Sequence, residues 1–271
     1  MTRPSLSISN LAWTRQEDEE VVSILKNFGV QHIDLVMGRY FDKPFEASLD
    51  DWLSVKKFWN SEGIQIAGMQ SLLFGVPSVS LFGTGNHREL LTRALGEVFL
   101  RAEAIGVKRL VFGSPVYRLR MSLDDSELAV VVDFFKELGT IAERHNVLLL
   151  LEPNSTRFNC NFLNSAKEAA NFVSRISSKG IGVNLDLGAE LDANSDLKFS
   201  PEELATFGHL HLSEPDLSPL SGNPLFLKLV SDSELVNQFE FLTIEQLGST
   251  ESSNLLSVSS SIAYARGVLK I

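Results

Sequence analysis

The sequence predicts a single (β/α)8 barrel, an α/β fold that covers residues 1–271 as one domain. Short apolar segments rich in β-branched residues alternate with longer amphipathic segments along the 271 residues. Eight candidate strands in a chain of this length match the size of such barrels, about 250 residues. Strands that alternate with helices form right-handed βαβ units and hence a parallel sheet. The alternative, a doubly wound open sheet, usually has a glycine-rich loop after its first strand, and this chain continues there with Asn10-Leu11-Ala12-Trp13.

The predicted strands and helices follow from hydrophobic periodicity and from helix caps. The predicted strands are Ser5–Ala12, His32–Val36, Ile64–Met69, Arg109–Phe112, Val147–Glu152, Gly182–Asp186, His209–Ser213 and Phe241–Glu245. The predicted helices are Glu17–Phe28, Leu49–Glu62, Arg88–Ile105, Ser126–His145 and Ala166–Ser177. The segment Ser48-Leu49-Asp50-Asp51 resembles a capping box. Glycines stand where left-handed C-caps are expected, at Gly29, Gly63, Gly106 and Gly180.

The helices around strands six and seven are predicted to be shortened. Pro201–Phe207 is a short candidate helix, and Pro215–Asn223, with three prolines in or beside it, predicts an extended loop. The serine-rich segment Ser249–Ser261 predicts a terminal loop that leads into a helix. None of these segments marks a domain boundary.

Composition excludes several classes of protein. The chain has 24 Lys plus Arg against 34 Asp plus Glu, a net charge of −10, and a surface of this sign repels nucleic-acid phosphates. Its one cysteine, Cys160, excludes a disulfide framework and any multi-cysteine metal site. We find neither the apolar run of a signal peptide nor the ~18 apolar residues of a membrane span. We therefore expect a cytoplasmic protein with no nucleic-acid or membrane partner.

Polar residues stand at the ends of the last four predicted strands. Glu152, Asp186 and Glu245 end strands five, six and eight, and His211 lies near the end of strand seven. Such ends meet at one face of a barrel, and a carboxylate there is costly to bury unless it is paired or bound to a metal. This mainly oxygen donor set suits hard or borderline divalent ions, Mn²⁺ or Mg²⁺ first, with Co²⁺ or Zn²⁺ as alternatives. His209 faces the interior too, either to support the site or as packing.

The chain resembles the xylose-isomerase-like barrel superfamily, in particular the sugar and sugar-phosphate isomerases and epimerases that include the ketose 3-epimerases. The resemblance rests on LEPN at Glu152, VNLDLG at Asp186, HLHLSEP at His211, TIEQ at Glu245 and AEAIGVKRLVFGSP around strand four. It implies one divalent ion held by these four residues and a carbohydrate substrate. It also implies that Glu152 and Glu245 are the catalytic pair, one removing a proton and the other returning one, through an enediolate.

Two departures from that group leave alternatives open. Relatives commonly have a histidine three residues after the strand-six aspartate, where this chain has Ala189, and several epimerases have an arginine where it has Ser213-Glu214-Pro215-Asp216-Leu217. The alternatives are an inosose-type dehydratase with the same metal site and a catalytically silent sugar-binding barrel. A three-zinc DNA-repair endonuclease of the superfamily is rejected, since strands three and four end without histidine. A homodimer is compatible with the fold.

Further residues are candidates for substrate contact: Trp13, Arg118, Asn154, Arg157 and Glu214. Trp13, with Phe74, could form an apolar wall for a sugar face, or both could pack at the top of the barrel. Glu214 could orient His211 or a sugar hydroxyl, or it could be a solvated loop acid. The two arginines lie in loops expected at the active-site face and hint at an anionic substrate, with solvated loop charge as the alternative. Other basic residues in these loops are Arg39, Lys43 and Arg120.

Overall fold

Eight parallel strands close into one barrel in the part of the chain that is described. The structure is a computed structural model that describes residues 3–73, 75–76, 79–83, 86–120, 125–249 and 253–270. The strands are β1 Ser5–Ser9, β2 His32–Val36, β3 Gln65–Gln70, β4 Arg109–Phe112, β5 Leu148–Leu151, β6 Ile181–Asp186, β7 Phe207–Ser213 and β8 Phe241–Glu245. They pair in chain order, and β1 pairs with β8 to close the barrel. The predicted (β/α)8 fold is confirmed.

Helices connect the strands and cover the outside of the barrel. They are α1 Asp18–Phe28, α2 Leu49–Ser61, α3 His87–Ile105, α4 Asp125–Arg144, α5 Ala166–Ile176, α6 Leu187–Asp192, α7 Pro201–Leu204, α8 Pro224–Ser231, α9 Ser233–Val236 and α10 Asn254–Leu269. The five longer predicted helices are confirmed to within one residue at each end. The predicted capping box of α2 is present, because Ser48 and Asp51 each accept a hydrogen bond from the other's backbone N–H. Within the described ranges, no helix has the length and hydrophobicity of a membrane span.

The first strand is shorter than its apolar sequence predicts. β1 ends at Ser9, and Asn10–Ala12 form a 3-10 turn. The Ser9 hydroxyl accepts from the N–H of Leu11 at 3.1 Å, which caps this turn. The Asn10 side chain accepts from the N–H of Val36 at 2.6 Å, so the turn is attached to the end of β2. Side-chain hydrogen bonds therefore end the strand, although the apolar pattern continues.

The chain after β6 and β7 has short helices, as the sequence predicts. Helix α7 has 4 residues, and a 3-10 turn, Pro215–Leu217, opens the predicted loop after β7. Helix α6 was not predicted, because its N-cap is Asp186, the last residue of a strand. The Asp186 carboxylate accepts from the N–H of Ala189 at 2.7 Å, so one side chain ends the strand and starts the helix. The site described next lies at this end of the barrel.

Candidate active site

Four side chains with metal-binding donor atoms meet at the C-terminal ends of the last four strands. Glu152 follows β5, Asp186 ends β6, His211 lies in β7 and Glu245 ends β8. The register places Asp186 beside His211, and Ser213 beside Glu245. Each of the four residues offers one donor atom, and these atoms all lie within 4.8 Å of one another. The structure therefore brings together the four residues that the sequence proposes as metal ligands.

The imidazole of His211 lies at the centre of this cluster. Its Nδ1 atom is 2.9 Å from Glu152 Oε1, 3.2 Å from Glu245 Oε2 and 3.9 Å from Asp186 Oδ2. Three carboxylates thus surround one imidazole, and three of the four residues are buried. Such a concentration of negative charge away from water requires a cation or bound protons. The donor set fits a hard or borderline divalent cation.

The protonation of the cluster reflects this excess of negative charge. Burial, followed by the charges of Glu152 and Glu245, raises the pKa of Asp186 to about 8. Burial alone would lower the pKa of His211, but the charge of Glu245 and the carboxylates of Asp34 and Glu152 raise it well above its usual value. Without a cation, the cluster therefore holds protons at neutral pH. A divalent ion bound here would displace them.

Main-chain and side-chain hydrogen bonds determine the position of Glu152. Asn184 Nδ2 donates to Glu152 Oε1 at 2.7 Å. A side chain on Gly113 would overlap Glu152 Oε2, so the carboxylate occupies space that only glycine leaves free. Asn154 Nδ2 and Arg118 Nη2 both donate to the Gly113 and Glu152 carbonyls, at 2.6 to 3.1 Å. The ends of β4 and β5 are thereby tied together beneath the Glu152 side chain.

The other two carboxylates are also oriented by neighbouring donors. Gln70 Nε2, at the end of β3, donates to Glu245 Oε1. Asp186 accepts from the N–H of Ala189 through Oδ1 and from the Ser213 hydroxyl through Oδ2, both at 2.7 Å. Each carboxylate of the cluster therefore has a hydrogen-bond donor that limits its rotation.

Sequence reasoning missed three of these donors, Gln70, Asn184 and Ser213. Two of them carried a usable signal, since Asn184 lies two residues before Asp186 and Ser213 lies two residues after His211. Residues two apart in a strand point to the same side of the sheet. Gln70 carried no such signal, because its contact with Glu245 depends on the curvature that brings β3 across the barrel from β8.

A buried polar layer lies beneath the cluster, inside the barrel. Asp34 Oδ2 lies 2.6 Å from His209 Nε2, and Asp34 Oδ1 accepts from Thr243 at 3.1 Å and from Ser7 at 3.2 Å. Burial would raise the pKa of Asp34, but the charge of His209 and its hydrogen bond hold it well below its usual value. Asp34 Oδ2 also lies 3.8 Å from Nε2 of His211. His209 therefore contacts Asp34, on the side of His211 away from the carboxylates.

Above the cluster, the loops form a pocket of about 580 Å³. Glu152, Asp186 and Glu245 line one part of it. Three of the residues proposed for substrate contact also line it: Asn154, Arg157 and Glu214. The volume is in the usual range for small-molecule sites, about 300–1,000 Å³. The pocket therefore connects the four-residue cluster with solvent.

The prediction that Trp13 contacts a sugar is corrected by its burial. Trp13 is 1% exposed and does not line the pocket. Its indole N–H donates to Asp18 Oδ1 at 2.8 Å, and its ring packs edge-on against Trp59. The side chain thus packs between β1 and the first two helices. Phe74, its proposed partner in an apolar wall, lies outside the described residues.

The proposed contact of Arg118 with substrate is corrected for a similar reason. The Arg118 side chain is fully buried and does not line the pocket. It donates to the carbonyls of Gly113 and Glu152, at 2.6 and 2.7 Å. Its role is to connect the ends of β4 and β5.

Two other proposed residues line the pocket but have partners within the protein. Arg157 donates to Asp192 at 2.9 Å and to Asp216 at 3.3 Å. Glu214 Oε1 accepts from three successive backbone N–H groups, those of residues 221–223, at 2.8 to 2.9 Å. Both side chains therefore hold loops together. Because Arg157 is already paired with two carboxylates, it gives less support to an anionic substrate than its position in the sequence indicates.

Comparison with known proteins identifies the fold family. The family model of the xylose isomerase-like TIM barrel matches residues 22–228. No curated protein matches the sequence. A solved structure of L-ribulose 3-epimerase is 16% identical, with a TM-score of 0.78 over 100% of this chain and 95% of that chain.

Two further solved structures are similar in fold. D-psicose 3-epimerase from Clostridium cellulolyticum H10, solved with D-tagatose, has a TM-score of 0.75 and 16% identity, over 98% of this chain and 99% of that one. The 3-keto-D-glucoside 4-epimerase from E. coli has a TM-score of 0.74 and 16% identity, over 98% of this chain and 100% of that one. Since the family model covers most of the chain and the structures share its barrel, the protein belongs to the xylose isomerase-like TIM barrel family.

Proposed function

We propose that the protein is a divalent-metal-dependent isomerase or epimerase of a small sugar or sugar derivative. The observation that carries this proposal is the convergence of Glu152 and Glu245 on the same imidazole, that of His211, at the floor of an open pocket. Membership of the family supports it, as do structural neighbours that are named as sugar epimerases.

The reaction requires removal of a proton from a carbon next to a carbonyl group. A carboxylate is too weak a base for this step alone, and a cation held by the cluster would stabilise the negative charge that develops. Glu152, Asp186, His211 and Glu245 would hold the ion, Mn²⁺ or Mg²⁺ by preference, because their donor atoms lie within 4.8 Å of one another.

Each glutamate has one oxygen in the cluster and a second that can carry a proton. Glu152 Oε1 and Glu245 Oε2 are the atoms next to His211 Nδ1. Proton transfer is therefore assigned to Glu152 Oε2 and Glu245 Oε1, one removing a proton and the other returning one. Gln70 donates to Glu245 Oε1 and so limits the rotation of that carboxylate.

The first test combines metal content with proton exchange. After loading with Mn²⁺, elemental analysis should find about one ion per chain in the wild type and much less in His211→Ala. In D2O, the loaded wild type should exchange the hydrogen next to the carbonyl of an accepted free ketose, screened from D-fructose onward. Glu152→Gln and Glu245→Gln should abolish this exchange, whereas Glu234→Gln, at an exposed position on α9, should retain it.

The outcomes separate the proposal from its alternatives. A product one water lighter than the substrate would identify an inosose-type dehydratase with the same ion and glutamates. Binding of sugars without deuterium exchange for any substrate would identify a catalytically silent sugar-binding barrel. Ala189 and the missing arginine are the reasons to consider this alternative. Absence of a specific ion from the wild type would refute the metal-dependent mechanism.

A further inference from the structure

Part of the pocket is lined by apolar side chains. They come from the segments that follow β4, β5, β6 and β7, and they are Val116, Leu119, Phe158, Ala189 and Leu217. Val116 is 70% exposed and Phe158 is 49% exposed. Large side chains this exposed beside a polar site indicate a surface that a ligand covers.

The backbone conformation of the loop after β7 determines the position of Leu217 in this apolar surface. Asp216 and Leu217 both have positive φ, of 60° and 54°, a conformation that a bulky residue such as leucine rarely adopts. Leu217 is held there by a hydrogen bond from the N–H of Leu247 to its carbonyl at 2.8 Å. Backbone strain of this kind persists where surrounding contacts maintain it, and it is common at ligand sites. The position of Leu217 is therefore built into the loop structure.

The same region offers little to an anion. Among the described residues that line the pocket, Arg157 is the single basic one, and none of the residues outside the described ranges is Lys or Arg. Its guanidinium is held by Asp192 and Asp216, and it lies 5.5 Å from the centre of the Phe158 ring. A phosphate would have to compete with two carboxylates for this cation.

We infer that the substrate is an uncharged polyhydroxy carbonyl compound with an apolar substituent, such as an alkyl or aryl ether, at the end distant from its carbonyl group. The inference rests on the proposed function for one point, the orientation of the carbonyl toward the cluster. The apolar group then covers Val116, Phe158 and Leu217, and the hydroxyl groups remain near the polar floor. A sugar phosphate would place its dianion against apolar side chains and paired carboxylates.

Three probes of one parent sugar test this inference: D-fructose, D-fructose 6-phosphate and 6-O-benzyl-D-fructose. Calorimetric titration of the Mn²⁺-loaded wild type should show the benzyl ether binding at least tenfold more tightly than D-fructose, and the phosphate more weakly. Phe158→Ala should reduce the ratio of the benzyl ether to D-fructose affinity to less than a third. Leu256→Ala, at an exposed apolar residue on α10 that does not line the pocket, is the matched control and should preserve the ratio.

A gain of phosphate binding provides an independent test. The double variant Asp192→Asn, Asp216→Asn removes the two negative charges that pair with Arg157 and keeps the side-chain shapes. Asparagine also tolerates the positive φ at position 216. It should bind D-fructose 6-phosphate about tenfold more tightly than the wild type does. Arg157 would then be available for a phosphate.

The results also separate this inference from the proposed function. Tighter binding of the phosphate than of D-fructose by the wild type would overturn the inference, and so would equal binding, or absence of binding, of the three probes. Deuterium exchange is the test of the proposed function. If deuterium exchange is absent but the three probes bind in the predicted order of affinity, the proposed function is refuted and the inference of an apolar subsite is still supported.

Discussion

At the scale of single residues, the position of Glu152 depends on the absence of a side chain at Gly113. A Cβ atom there would overlap Glu152 Oε2, the oxygen assigned to proton transfer. The end of a flexible side chain can move aside more easily than a barrel strand can. A substitution at Gly113 should therefore displace the carboxylate and leave the fold intact.

We expect Gly113→Ala to reduce deuterium exchange about 100-fold, because a displacement of about 1 Å at a reacting group has an effect of this size. Exchange would be measured in D2O with the Mn²⁺-loaded protein, and the fold would be checked by circular dichroism. Gly96→Ala is the matched control. Gly96 lies within α3 with no atom close to its missing Cβ, so this variant should exchange normally and gain about 0.5–1 kcal/mol of stability. Normal exchange by Gly113→Ala would contradict the assignment.

At the scale of secondary structure, the left-handed cap of α5 lies at a different residue from the one predicted. The sequence places a left-handed cap at Gly180, but Ser177 takes that conformation, with φ of 54°. Gly180 has a different reason to be glycine. A Cβ there would overlap the carbonyl of Gly139 in α4, so this glycine permits close packing between the loop and that helix. The cap was misplaced because a local pattern does not show which backbone segments approach each other.

Two substitutions with opposite effects follow. Ser177→Gly should raise the free energy of unfolding by about 0.5–1 kcal/mol, because glycine adopts positive φ without the steric penalty of a side chain. Gly180→Ala should lower it, because the new methyl group forces α4 and the loop apart. Urea denaturation monitored by circular dichroism measures both changes. A destabilised Ser177→Gly would show that its hydroxyl, which donates to the Ser174 carbonyl, outweighs the backbone strain.

At the scale of the whole molecule, barrel closure brings together carboxylates from strands that are distant in the sequence. The folded protein raises the pKa of Asp186 from 3.8 to about 8, so it binds this proton more tightly than the unfolded chain does. The pKa of His211 is raised as well. Both groups make the metal-free protein lose stability as pH rises, for Asp186 across the window between about 4 and 8.

Metal-free protein should therefore have a lower Tm at pH 8.5 than at pH 6.5, and Mn²⁺ should raise the Tm more at the higher pH, where fewer protons compete. Differential scanning calorimetry with and without the ion would show both effects. Asp186→Asn should remove much of the pH dependence, whereas Asp133→Asn, at an exposed position, should preserve it. A metal-free Tm that increases over this range would contradict the protonation assigned to the cluster.

The eight-stranded barrel and the four residues that meet at its C-terminal end were both predictable from the order of residue types along the chain. Both were predictable because hydrophobic periodicity is local, and because a closed parallel barrel places all its strand ends at one face. The burial of Trp13 and Arg118, and the hydrogen bond from Gln70 to Glu245, became evident from the folded chain alone. Burial and hydrogen-bond partners depend on residues that are distant in the sequence, and a linear pattern of residue types does not contain those contacts.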